Sequence, residues 1–286
     1  MGRDLYDSHA LARELFDNAD RILGRKLSAI CFEGPAEELS KTTNAQPAIY
    51  VTSMACLGVA LQAQLLKGDA ALVAGHSLGE YTALAAAGAM SFEDGLRLVE
   101  KRGRLTQAAA DATPGGMAAV LGLDEATAAA VCSEAGAELC NINAPGQIVI
   151  GGRTESVAAA CKLALERGAR RAVPLEVGGA FHTSLMGPAV APMREAIART
   201  NLYGPRVPIV LNDRATPVTD AGDIAEELAH QLTHPVRWVQ CVQYMASHGV
   251  TRFIEIGAGR VLTGLIKRIA PDAETRNISG AASLAL

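Results

Sequence analysis

No uninterrupted apolar stretch in this sequence is long enough to cross a bilayer. The opening "MGRDLYDSHALAREL" is charged and has no apolar h-region, which excludes a signal peptide. Tyr6 stands where a myristoylated start needs Ser or Thr. Paired cysteines are also missing. The six at 31, 56, 132, 140, 161 and 241 form no CxxC and no regular spacing. That argues against a disulfide frame or a zinc site and fits reduced, buried thiols in the cytoplasm. Aromatics make up only 4%, so the core must be built from Ala, Val, Leu and Ile, as in a helix-covered parallel sheet. An excess of positive charge is lacking too. A net charge of −4 gives no footprint for nucleic acid. Basic residues gather locally in "KRGR" and "RGARR", either to meet an anionic ligand or, more commonly, as solvated faces.

What is present is a chain of 286 residues, 49% hydrophobic, enough for one large domain with a smaller insert. Helical spacing of Leu11, Leu15, Phe16, Ala19, Ile22 and Leu23 predicts a helix over 8–23. A second helix is expected from Pro47, as a first helical residue, to Lys67. "AALVAG" (70–75) reads as a buried strand, "LGEYTALAAAG" as a helix, and "SFEDGLRLVEKRGRLTQAAA" as a longer helix capped by Ser91. After "TPGG" the pattern becomes strand, helix, two strands around "NAPG", helix, strand. That β-α-β-β-α-β order is ferredoxin-like. It divides the chain into a core of 1–114 with 178–286 and a small domain of 115–177. Beyond it, "RVPIVLN" and "TRFIEIG" read as strands, "DIAEELAHQL", "PVRWVQCVQYMASHG" and "RVLTGLIKRI" as helices, and the tail "NISGAASLAL" as weakly ordered.

"AGHSLGEY" (74–81) places Ser77 in a G-x-S-x-G between a predicted strand and a predicted helix. This is the context of a nucleophile elbow, in which glycines permit the tight turn that lifts the hydroxyl clear. The helix start beside it would offer Leu78 N–H to a developing oxyanion. A serine nucleophile needs a base. His9 and His248 lie in polar helical surroundings, and His76 adjoins the serine and must point elsewhere. That leaves His182, in a loop after a strand, with His230 and His234 as alternatives. On the "LRLVEKRGRL" helix, 100° per residue puts Arg102 between Leu98 and Val99, inside the apolar stripe. Arg97, Lys101 and Arg104 fall on the opposite side. A buried arginine needs an anion, and a structural ion pair to a nearby carboxylate is the plain alternative to a ligand.

Six motifs occur in order: "GHSLGEY", "KRGRL", "NAPGQ", "GAFHTSLM", "QLTHPVRW" and "EIGAGRVLTGL". Over nearly the whole chain they resemble the malonyl-CoA:acyl-carrier-protein transacylases. The resemblance implies an α/β, hydrolase-like core with a parallel sheet flanked by helices, plus the ferredoxin-like insert. It implies a dyad of Ser77 and His182, the histidine oriented by the backbone carbonyl of Gln231. It also implies Arg102 as the partner of the malonyl carboxylate and Phe181 as filler of space that a methyl branch would need. Malonyl-CoA would be the donor and acyl carrier protein the acceptor, with no cofactor or metal, and the enzyme a cytoplasmic monomer. "NAPGQ" either brings Asn143 and Gln147 near the cleft or is a turn and nothing more.

The sequence departs from that family at its front, where a buried strand and a "GQGSQ"-type loop have no counterpart. That loop supplies the family's second oxyanion N–H, a contribution of about 2.7–4 kcal/mol. The expectation is a true start upstream of Met1, a genuinely short form being marginally stable and weakly active. Two rivals stand beside this reading. One is a GxSxG thioesterase or esterase, which calls for an acid and then a histidine near the C-terminus. The other is a non-catalytic relative that still docks carrier protein. Nucleotide binding at "EIGAGRVL" is set aside because Leu262 stands at the third glycine position.

Overall fold

The computed structural model describes residues 1–66, 68 and 70–284. Two helices, Thr42–Gln62 and Phe92–Ala112, form the spine of the larger part. The first is apolar on nearly every side, with Ala48, Tyr50, Val51, Ala55, Cys56 and Ala60 all fully buried, as a helix enclosed by others must be. It starts at Thr42, five residues before the position expected from Pro47. Pro47 cannot donate to the Thr43 carbonyl, and Arg25 Nη2 donates to that carbonyl instead at 3.1 Å. The helix ends at Gln62, and the expected end at Lys67 lies outside the described residues. Ser91 caps the second helix as expected, its Oγ accepting from Asp94 N–H at 3.0 Å.

The core strands are shorter than their sequence runs. β1 (Val73–Ala74) pairs in parallel with β6 (Ile209–Val210), and β7 (Pro217–Val218) adds to β6 antiparallel. Val73 N–H donates to the Pro208 carbonyl at 3.1 Å, but Pro208 has no N–H to return, so the ladder stops there. A second parallel pair joins β8 (Arg252–Ile256) to β9 (Glu274–Ile278). That pair overturns the expectation of a weakly ordered tail. Ile278 is fully buried, and Ala281 N–H donates to Asp4 Oδ2 at 2.6 Å, tying the two ends of the chain together. The last two residues of that tail, 285 and 286, lie outside the described residues.

Residues 115–174 carry β2 (Gly115–Leu121), β3 (Glu138–Ala144), β4 (Gln147–Arg153) and β5 (Arg171–Pro174), with helices Glu125–Ala135 and Thr154–Glu166. The sheet is antiparallel in the order β3-β4-β2-β5, the ferredoxin-like arrangement. Both helices cover one face, where Ala118, Val120, Ile148 and Ile150 meet Val131, Val157 and Ala160. The other face carries Met117, Cys140 and Val149 and packs on Phe181 of the core. One backbone seam crosses between the parts: Ile142 N–H donates to Val236 O at 2.9 Å and Val236 N–H to Cys140 O at 2.8 Å. Among the described residues no helix is long and apolar enough to cross a membrane.

Candidate active site

The chain turns sharply after β1 into the helix Gly79–Ala86. A Cβ on Gly75 would lie 1.9 Å from the Gly79 carbonyl carbon, so only glycine fits there. Ser77 sits at φ 51, the left-handed region, where a non-glycine residue costs about 1–3 kcal/mol. Its surroundings enforce that conformation. Asn212 accepts from Ser77 N–H and donates from Nδ2 to Gly75 O, both at 2.7 Å. Nothing in the "VLND" stretch advertises this role, because the contact spans 135 residues.

Ser77 Oγ lies 2.8 Å from His182 Nε2, and His182 Nδ1 lies 2.9 Å from the Gln231 carbonyl. A carbonyl only accepts, so Nδ1 carries the proton and Nε2 is free to accept from the hydroxyl. Burial, followed by the Arg102 charge, lowers His182 from 6.5 to about 3, which keeps the imidazole neutral. The alternative histidines stand elsewhere. His230 and His234 stack on each other at 3.5 Å, with His230 Nδ1 on the Asp213 carboxylate and His234 Nδ1 on the His230 carbonyl. His76 turns toward Asn143 Oδ1 at 2.8 Å and the Trp238 ring.

Arg102 is 5% exposed, whereas Arg97, Lys101 and Arg104 face solvent, as the helical phase predicts. Its Nη1 donates to Gln46 Oε1 at 2.7 Å, and its Nη2 to Ser77 Oγ and Gln231 Oε1, both at 2.9 Å. Its charge also faces the Tyr81 ring at 5.7 Å. Nε has no partner among the described residues. Every acceptor on the fork is neutral, so the plain alternative of a structural ion pair is not what the site contains. Gln231 does double duty: its side-chain Nε2 donates to Ser77 O at 3.0 Å and to Glu80 Oε2. Glu80, fully buried, also accepts from Asn212 N–H. Burial and then Glu227 push its carboxyl well above the ordinary range. Glu80, Asn212 and Gln46 are the parts of this network that the sequence reading missed.

A cleft of about 270 Å³ opens over Ser77, with Leu78, Arg102, Met117, Phe181 and His182 in its walls. Asn141 also lines it, while Asn143 is absent from the wall and holds His76 from behind. β3 has a register shift between Ile142 and Ala144, so even spacing does not carry that far. Gln147 is drawn away to the Arg268 guanidinium. At "EIGAGRVL", the Glu255 carboxylate accepts from Leu262 N–H and Thr263 N–H at 2.9 and 2.8 Å. Those donors are the ones a phosphate would use. The basic clusters are mostly solvated, with Arg104 on Glu100 and Arg167 on Glu134.

A serine in a strained elbow, a neutral imidazole on its hydroxyl and a buried cation beside both form a site for acyl chemistry. Comparison with known proteins agrees. The family model described as "Acyl transferase domain" matches residues 1–283. The malonyl CoA-acyl carrier protein transacylase of Bacillus subtilis is 44% identical over 274 residues, 94% of this chain and 86% of the relative. The crystal structure of an acyl-carrier-protein S-malonyltransferase from Burkholderia pseudomallei superposes with a TM-score of 0.92 at 44% identity, covering 98% of this chain and 92% of that one. A malonyl-transacylase solved in complex with its type II PKS acyl-carrier protein gives 0.93 at 38% identity, covering 99% and 92%. With the match running from the first residue almost to the last, the protein belongs to the acyl transferase domain family.

Proposed function

We propose that the protein moves a malonyl group from coenzyme A to the phosphopantetheine thiol of an acyl carrier protein through a malonyl ester on Ser77. The observation that carries this reading is the buried Arg102 guanidinium, held only by neutral oxygens and 2.9 Å from the Ser77 hydroxyl. A carboxylate reaching it gains a bidentate, charge-assisted pair. An acetyl group leaves the cation as it is.

Ser77 Oγ accepts from Arg102 and gives its own proton to His182 Nε2. When the malonyl carboxylate takes the guanidinium, the oxygen loses that donor and its lone pair is released for attack. The Arg102 charge, which adds to burial in lowering His182, is neutralised in the same step, making the imidazole a better base. Ser77 Oγ then bonds to the thioester carbonyl carbon while His182 receives its proton. Leu78 N–H faces the developing oxyanion. The C–S bond breaks, and His182 returns the proton to the coenzyme A sulfur. The carrier thiol repeats these steps in reverse, as a ping-pong cycle requires. Gln231 orients the imidazole, and Phe181 and Met117 narrow the cleft around the acyl chain.

On this reading 1–114 with 178–286 is the catalytic core, and 115–177 is a small domain whose helix-free face, packed on Phe181, closes the cleft. The enzyme works as a cytoplasmic monomer, and the chemistry needs no cofactor or metal. Intact-mass measurement after mixing with malonyl-CoA is the test. A malonyl adduct that disappears on addition of carrier protein and is absent from Ser77→Ala is expected. Release of free malonate as fast as transfer to carrier would replace the proposal with a thioesterase.

A further inference from the structure

The helix Ala221–His230 runs directly into the single 3-10 turn Gln231–Thr233. His230 and His234, four residues apart, leave this corner with their rings stacked at 3.5 Å. Asp213, three residues beyond β6, reaches the same place, its Oδ2 2.8 Å from His230 Nδ1. We propose that Asp213, His230 and His234 form a binding site for a divalent transition-metal ion of the zinc type.

Three observations support it. First, one potential ligand atom from each residue lies within 4.8 Å of the other two. Zinc–nitrogen bonds of about 2.0–2.1 Å place tetrahedral ligand atoms about 3.3 Å apart. The exposed His230 ring closes the remainder by turning about χ2, a soft torsion. Second, the His234 tautomer is set. Its Nδ1 lies 2.8 Å from the His230 carbonyl and 3.1 Å from Thr233 Oγ1. The carbonyl requires an N–H at Nδ1, which leaves Nε2 with its lone pair outward, as in metal-binding histidines whose other nitrogen is tied to the backbone. Third, charge favours a cation. The neighbouring Arg214 is matched by Asp223 and Glu226 at 3.1 and 3.0 Å, so the Asp213 carboxylate is left to the histidines.

Two imidazoles four residues apart across this turn, with one carboxylate, suit zinc, cobalt or nickel, and do not suit calcium or magnesium, which prefer all-oxygen sites. The imidazoles of the site stand outside the dyad, since His182 meets this corner through backbone groups, the Gln231 carbonyl and the His234 main chain. A bound ion would therefore clamp the turn that presents that carbonyl.

Titration of the tag-free protein with Co²⁺, followed by visible absorption, tests the site. One equivalent with a tetrahedral ligand-field spectrum, displaced by Zn²⁺, is the expected result. Affinity falls at least about tenfold in Asp213→Asn and further in His230→Ala/His234→Ala. Zn²⁺ raises the thermal midpoint of the wild type and not of the double variant. Retained malonyl transfer shows that the double variant is folded. No saturable binding, equal binding in the double variant, or a thiolate-to-cobalt charge-transfer band from the cysteines overturns the proposal.

Discussion

Over the seven residues of β4, every backbone position is paired with β2 on one side, and β3 covers most of the other. Around Ser77 the backbone has no such lattice. There the side chains of Asn212 and Gln231 hold the turn from positions 135 and 154 residues away in the chain, and the Glu80 carboxylate pins both of them. The two regions thus keep their shape by different means. A regular sheet satisfies its own amides and asks only for apolar side chains on its covered face. An elbow in the left-handed region cannot satisfy itself, and the buried polar groups that fix it are also the groups that reach the reacting atoms.

The sharpest way to break this contrast is at the hydroxyl. Ser77→Ala is expected to lower malonyl transfer by about 10⁴-fold or more while leaving the thermal midpoint nearly unchanged, because one oxygen is removed and the turn is still held by Asn212. Steady-state transfer and calorimetry on the same preparation measure both. In the sheet the pattern should reverse. Ile150→Ala empties a fully buried position in the small unit and should cost about 2–5 kcal/mol by denaturant unfolding. Transfer per folded molecule should stay within a few-fold.

Arg102→Ala lies between these extremes. Malonyl-CoA kcat/KM should fall by about 10²–10³, in line with the loss of a charged hydrogen-bonding partner, while acetyl-CoA turnover changes far less. Equal losses for both thioesters would show that Arg102 only supports the fold. Asn212→Ala strips partners from Ser77 N–H and Gly75 O and should cost about 1–3 kcal/mol together with a drop in kcat at unchanged KM. The smallest effect is on pH. His182 falls from 6.5 in the unfolded chain to about 3 in the folded one, so the unfolded state binds more protons between those values. Its contribution to stability is complete above pH 6.5 and declines as the pH drops toward 3. Proton-detected titration should find this imidazole neutral across pH 5–8.

The same contrast explains what could be read from the sequence. The small unit is legible because its strands are local and regular: "QIVIGG" and "AELCNI" become β4 and β3 within two residues of their expected bounds. Arg102 is legible from helical phase alone, since Leu98 and Val99 beside it are buried. Ser77 and His182 carry local signals and meet at 2.8 Å. Glu80, Gln46 and Asn212 act through contacts with no periodicity and no fixed spacing, so nothing along the chain marks them. The two-residue core strands and the early helix start at Thr42 depend in part on how Pro208 and Pro47 find or lose partners in three dimensions, and sequence spacing does not show that.

The seam at Val236 has a mechanical corollary. Four residues separate it from the carbonyl that steers His182, and the stretch between is a tight turn followed by proline, a stiff strut. Tilting residues 115–174 against the core would tug on that strut and swing the imidazole off the hydroxyl. Access for the long pantetheine arm and readiness for proton transfer would then be alternatives in time, and water entering through an open mouth would find the serine idle.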